Sequence, residues 1–366
     1  MKIISVRRRS LQFLFSAITI LAVTGCVGSV PPGHYVQLSI LNTLRLPTGY
    51  QGSGIAMQGS FAYISTEAIG SQNETRSLVI ANLGAPAAPT IVSANSSGLT
   101  SDMGGIVVSG NYAYVPYESA SGINFQVWDV SNPRSPSIVG STSISCPSGM
   151  LPFNNPALYG NYVYVSCWGS EVTKTGAFAI VNVSNPGSPS VVKMISVTAN
   201  YQPISFAIQD QNLYVVATQG GSTTDYVLLY SIENPTSPSL LATVSVPHSP
   251  QWASAQGTTA LVPIYDGAEL QVVDFSSPSS PQMQSVSLGS CHPMSVSVYR
   301  ENLAFVTCDS PGGLAEVSLA TAGRPSYLGT TLSGPVFNFV AASGGYLYGV
   351  DASGNFDTVG EGSGGQ

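Results

Sequence analysis

Charge is what this sequence most conspicuously lacks. Only 8% of its 366 residues are Asp, Glu, Lys or Arg, against about a quarter in an ordinary soluble domain. With 11 basic and 18 acidic residues the chain carries −7, which argues against a polyanionic partner such as nucleic acid. Lys and Glu, the usual fillers of exposed helix, are thin. Gly, Pro, Ser and Tyr are plentiful, and this balance of turn formers and β-branched residues points to β structure. An apolar fraction of 43% excludes a generally disordered chain. Three histidines are too few for a strong metal argument. The motifs of common chemistries are absent: no Gly-x-Ser-x-Gly elbow, P-loop, dinucleotide fingerprint, His-Glu-x-x-His segment or EF-hand spacing occurs. No cofactor and no metal is therefore expected.

The chain begins as an exported protein does. Lys2, Arg7, Arg8 and Arg9 precede an apolar run from Leu11 to Val23, which is short for a membrane span and reads as a signal segment. It closes on Leu-Ala-Val-Thr-Gly-Cys, residues 21–26, which resembles the lipobox of bacterial lipoproteins. That resemblance implies removal of residues 1–25 as the signal peptide and lipidation of Cys26. Residues 26–34 would then be a short tether to the membrane. Losing the four basic residues of the signal leaves seven basic against 18 acidic, near −11. Val27 stands where an inner-membrane retention Asp would sit, so the expected location is the cell envelope, at the outer membrane or cell surface.

An internal repeat organises the rest. Residues 123–139 read INFQVWDVSNPRSPSIV, 176–192 read GAFAIVNVSNPGSPSVV and 225–241 read DYVLLYSIENPTSPSLL, with weaker copies at 76–92, 268–284 and 313–329. The six copies recur every 43–53 residues. In each, an apolar strand runs into a prolyl turn that forces reversal, and a second strand follows. Ahead of each hairpin lies a Gly- or Asn-led strand: GSFAYIST at 59–66, GNYAYVPY at 110–117, GNYVYVSC at 160–167, DQNLYVVAT at 210–218, GTTALVPI at 257–264, RENLAFVTC at 300–308 and GGYLYGVD at 344–351. Small-residue runs further upstream, such as 105–108, 204–208 and 294–298, supply a first strand.

A unit of four antiparallel strands cannot bury both faces alone, and radial stacking solves this. The fold expected is an all-β propeller of seven four-stranded antiparallel blades over residues 35–359. Seven second-strand motifs are matched by only six full hairpins, so the N-terminal segment YVQLSILNTLRL at 35–46 is expected to complete the last blade. Residues 360–366 are expected to form a flexible tail. Tyr and Phe of the second strands should fill the space between blades, and Trp128 should be core. The turn of the 313–329 copy, where Ala-Gly-Arg-Pro replaces the two-proline pattern, is its weakest. The segments LVIAN at 78–82, FQVWDVSNP at 125–133, FAIVNVSNP at 178–186 and LQVVDFSSP at 270–278 resemble the LVIVD repeat of bacterial surface and secreted propellers. That resemblance implies a propeller and carries no catalytic residues with it.

Four cysteines remain. Cys146 and Cys167 occupy the same repeat positions as Cys291 and Cys308. Three pairings are possible, and 146–167 with 291–308 is the one that respects the repeat in an oxidising compartment. The same register sorts the loops onto two faces. The cysteine-bearing face should carry Phe153, Asn154, Tyr201, Gln202, His248, Trp252 and His292 near the channel mouth, and a longer loop opening at Trp168. These are the candidate binding residues, because variable loops on a rigid scaffold are where binding concentrates. The expected role is non-catalytic envelope binding or scaffolding, with a protein or glycan as partner and the membrane reached through the lipid. An enzyme using loop carboxylates (Asp102, Asp129, Asp266, Asp274, Asp309) and a purely structural envelope protein are the alternatives.

Overall fold

The computed structural model describes residues 36–69, 75–119, 124–147, 150–169, 176–197, 201–219, 222–300, 302–320 and 324–361. The signal segment, Cys26 and the tether lie outside them, as does the turn at 321–323. The described residues are all β, without a helix. Strands assemble into five four-stranded sheets and one eight-stranded sheet. The latter comprises two antiparallel sets, spanning 150–197 and 202–247, joined by a single parallel bridge between Asn155 and Ser205. The others span 50–96, 107–142, 254–287, 293–332 and 337–361.

Alternation explains why these segments pack as they do. Along Tyr162–Gly169, Val163, Val165 and Cys167 face the 107–142 sheet, while Tyr164 turns to the 202–247 set. The next strand repeats the division: Ala177, Ala179 and Val181 face one neighbour, Phe178 and Ile180 the other. Because successive side chains leave a strand on opposite faces, a strand apolar at every position is buried on both. Phe178 meets Phe206 and Tyr230 edge-on at 5.6 and 5.8 Å, a geometry that aromatic quadrupoles favour. Each set shares such an apolar cluster with the next along the chain, and the 337–361 sheet shares one with the 50–96 sheet, where the chain began. Trp128 is 1% exposed within one of these clusters. The second-strand tyrosines also stitch sets together, the Tyr164 hydroxyl donating to Pro235 O at 3.0 Å and that of Tyr214 to Gly257 O at 3.2 Å.

The N-terminal strand Leu38–Arg45 pairs antiparallel with the last strand, Asn355–Glu361. It supplies the outer strand of the 337–361 sheet, beyond Phe337–Ser343 and Tyr346–Asp351. That last strand runs on through Gly360 and Glu361, which pair with Ser39 and Leu38, so two residues expected in the tail belong to the sheet. Six described turns into second strands use a left-handed residue: Gly59, Gly110, Gly160, Gly257 and Gly344 have φ of 55–58°. Asp210 holds the same place at φ 54°, and Asp is one of the few side chains that tolerate it. The 326–332 strand carries two register shifts against its neighbour, at the copy whose turn sequence is weakest.

Candidate functional site

First strands are thin and small-residue-rich, and they converge. Where they meet, at the cysteine-bearing end, lies a cavity of about 270 Å³. The 50–96 sheet contributes Gln51, Ser53 and Glu67, and the approach to Val107–Ser109 contributes Gly104 and Gly105. Asn155 comes from Met150–Tyr159, Trp252 from the lead-in to Ser254–Gln256, Met294 from Pro293–Arg300, and Asn338 with Phe339 from Phe337–Ser343. Among the described residues, only the 202–247 set sends nothing into it. Glycine is required at 105, since a Cβ there would stand 2.6 Å from Asn155 Oδ1 and 2.9 Å from its Cα.

Trp252 and Phe339 form the aromatic wall, ring centroids 4.5 Å apart and planes inclined 43°. Trp252 is held by a parallel bridge to Ser295 and by donating its backbone N–H to Met294 O at 3.1 Å. Asn338 donates Nδ2 to Gly52 O at 3.2 Å, tying the last sheet to the first across the rim. Gln51 Nε2 donates to Glu67 Oε1 at 2.6 Å. Burial raises the Glu67 carboxyl above its ordinary value against that hydrogen bond, and the charges of Asp102 and Glu118 push the same way. Glu118 is likewise raised, first by burial and then by Asp102. Arg76, whose guanidinium acts the opposite way on Glu67, is 1% exposed and bound to Asp102 at 2.6 Å.

Of the residues singled out from the sequence whose side chains are described, Trp252 alone lines this cavity. Tyr201 lies in a different place, stacked on Tyr226 with centroids 4.0 Å apart; burial and a hydrogen bond with Tyr226 push its hydroxyl up to about 12. Gln202 is 2% exposed, so it is an interior residue and not a side chain displayed at the channel mouth. His248 Nδ1 approaches the buried Asp225 carboxylate at 2.9 Å. His292 packs against Tyr265, its Nδ1 3.1 Å from Tyr265 O, while the Tyr265 hydroxyl donates to Asp309 at 2.6 Å. Trp168 is 37% exposed near the end of its strand. Phe153 and Asn154 lie on the strand Met150–Tyr159, with side chains outside the described part. Among the described residues no three His, Cys, Asp or Glu converge as metal ligands. Of the ring carboxylates, Asp129 caps its own turn, donated to by Ser131 N at 2.8 Å, and these bonds hold it below the usual range.

Reasoning from the repeat missed Gln51, Glu67, Gly105, Asn155, Met294, Asn338 and Phe339. Position was the signal most of them share: Gln51, Gly105, Met294, Asn338 and Phe339 stand at the entry to a first strand, as Trp252 does. Disulfides join Cys146 to Cys167 and Cys291 to Cys308, with Cα atoms 5.5 and 5.0 Å apart, the pairing that respects the repeat.

The LVIVD repeat model matches residues 101–143, 155–198 and 264–287. No curated protein sequence matches the chain. Among solved structures, Kuenenia stuttgartiensis hydrazine synthase is similar at TM-score 0.65 and 13% identity, over 87% of this chain and 97% of that one. Virginiamycin B lyase from Staphylococcus aureus is similar at 0.62 and 8%, over 88% and 99%. A putative 6-phosphogluconolactonase from Bacteroides fragilis gives 0.58 and 11%, over 82% and 86%. At such identities the likeness establishes a shared β-propeller fold and nothing about activity.

Proposed function

For a chain that carries LVIVD repeats on a β-propeller, we propose a non-catalytic binding role in the bacterial cell envelope. The protein is a disc of seven four-stranded blades, anchored through lipidated Cys26, that presents its cysteine-bearing face to a protein or glycan. The unbroken succession of shared apolar clusters, from the 50–96 sheet round to the 337–361 sheet, supports the count of seven. The observation that carries the binding reading is the cavity at Trp252. Among the described residues, several sets deliver partly exposed aromatic and amide side chains to one point on a rigid frame, which is how recognition sites are built.

A catalytic reading has one observation in its favour, the raised carboxyl of Glu67. Paired-carboxylate hydrolysis needs two acids flanking the scissile bond, however, and among the described residues Glu67 is the single carboxylate lining the cavity.

The test is capture from envelope extracts, with a glycan array in parallel, using full chain in which Cys26→Ser prevents lipidation. Trp252→Ala is expected to abolish capture while leaving the melting temperature within a few degrees. Capture that is indifferent to Trp252→Ala would reject the cavity as the recognising element, and turnover of a small substrate abolished by Glu67→Gln would favour the enzyme. Incorporation of a fatty-acid analogue should vanish in Cys26→Ala; continued incorporation rejects the anchor.

A further inference from the structure

Resting on that binding reading and going one step further, we infer that the cavity at Trp252 takes an alkylammonium group. Three independent features of the lining converge on this chemistry. First, among the described residues Glu67 is its single charged side chain, and none of them that line it is Lys, Arg or His. Gln51 holds one carboxylate oxygen at 2.6 Å, which orients the group without neutralising it. Second, among the described groups whose charge acts on Glu67 the negative ones predominate. Asp102 and Glu118 act on it as neighbouring negative charges, against the single guanidinium of Arg76, which is paired with Asp102. A cation entering the cavity relieves this like-charge crowding; an anion adds to it.

Third, one side of the lining is aromatic. Trp252 and Phe339 pack directly on each other, centroids 4.5 Å apart and inclined at 43°, and together form one aromatic wall against which a small group in the cavity can rest, with Met294 adjoining. Aromatic faces attract ammonium groups, most strongly where water is scarce, and Trp is the strongest of them. A sugar ring would gain the stacking but not the charge term. The volume of about 270 Å³ lies at the small end of ligand cavities, enough for an ammonium head with a few carbons. The same chemistry can arrive as a free organic amine or as the side chain of a lysine on a partner.

The experiment titrates full-length Cys26→Ser protein with cationic probes and their neutral counterparts, by calorimetry and by Trp fluorescence. Choline is compared with its isostere in which carbon replaces nitrogen, and Nα-acetyl-lysine amide with its Nζ-acetylated form. Each cationic probe is expected to bind about tenfold tighter than its neutral counterpart. Glu67→Gln should close most of that gap, and Trp252→Ala should weaken every probe. Trp252→Phe, which keeps a ring, should retain part of the binding and controls for folding. The stronger of choline and the lysine amide identifies the source. Equal binding of charged and neutral probes, or a gap that survives Glu67→Gln, overturns the ammonium inference. If those neutral probes still depend on Trp252, the cavity stands as a binding site and only the ligand chemistry falls. If no probe binds, the ammonium inference falls, and whether envelope capture depends on Trp252 then decides the binding reading separately.

Discussion

The two ends of this molecule are built by opposite rules. At the prolyl-turn end the same bonds recur from sheet to sheet. Asn82, Asp129, Asn182 and Asp274 each accept the N–H two residues on, at 2.8–2.9 Å. Immediately afterwards a turn closes from Ala88 to Ala85, Ser135 to Asn132, Ser188 to Asn185, Ser237 to Asn234 and Ser280 to Ser277, at 2.8–3.0 Å. At the cysteine-bearing end, the two disulfides apart, the described side-chain clusters differ from set to set. One loop system holds the Arg76–Asp102 pair, another Asp225 with His248, another Tyr265 with Asp309, and two sheets carry disulfides. A bond needed to reverse the chain is needed in every unit and so repeats. The other end also reverses the chain, between second and third strands, but through connections of differing length; it carries individual side-chain arrangements, and the cavity opens there.

This contrast is breakable, and the variants that would break it are ordered here by expected size. Arg76→Ala leaves the Asp102 carboxylate without its buried partner and is expected to cost about 3 kcal/mol; denaturant melts that move by under 1 kcal/mol would mean the individual contacts of this end are dispensable. Removing the bridge between Cys146 and Cys167 with paired serines should cost about 3 kcal/mol by the loop it closes, read as a lowered melting midpoint without reductant, and reducing the parent protein should show a fall of similar sign. Glu316 belongs to neither end. It is fully buried, accepts the Val36 N–H at 2.8 Å beside the N-terminal strand, and burial raises it from 4.5 to about 7. The folded form therefore holds this proton more tightly than the unfolded one. Stability should fall as pH climbs from 4.5 to about 7, by at most about 1.4 kcal/mol per pH unit, and level off above. Glu316→Gln should flatten that interval, and parallel melting profiles for parent and variant would show the carboxyl to be uninvolved. The smallest effect belongs to the repeating end: Asp129→Ala loses one turn bond and should cost about 1 kcal/mol or less.

Much of the scaffold was legible because its signals are local. Alternation in GNYVYVSC, the prolyl turns and the spacing of their copies depend on a few adjacent residues, and the strands fall where those patterns lie. The Cys146–Cys167 pairing was legible for a related reason, since equivalent positions in successive repeats occupy equivalent places. The candidate site was mostly not. Gln51 and Phe339 are separated by nearly the whole chain, and neither looks unusual in its own segment. Trp252 was noticed for its residue type, whereas Glu67 sits near the end of a second strand among many ordinary positions. His248 was visible, but its partner Asp225, at the far end of a hairpin, was not.

By itself, then, the sequence determined the strands, their grouping in fours and the turns between them, because hydrophobic period and proline act over a handful of residues. It also required that the first residues of the fold join the last, as Leu38–Arg45 does beside Asn355–Glu361, since a propeller without an outer strand would leave an open edge. Only the tertiary structure decided which side chains meet at the centre. Convergence of first strands is a property of the closed ring, and the carboxylate, amides and paired rings of the cavity become neighbours only when every set is in place.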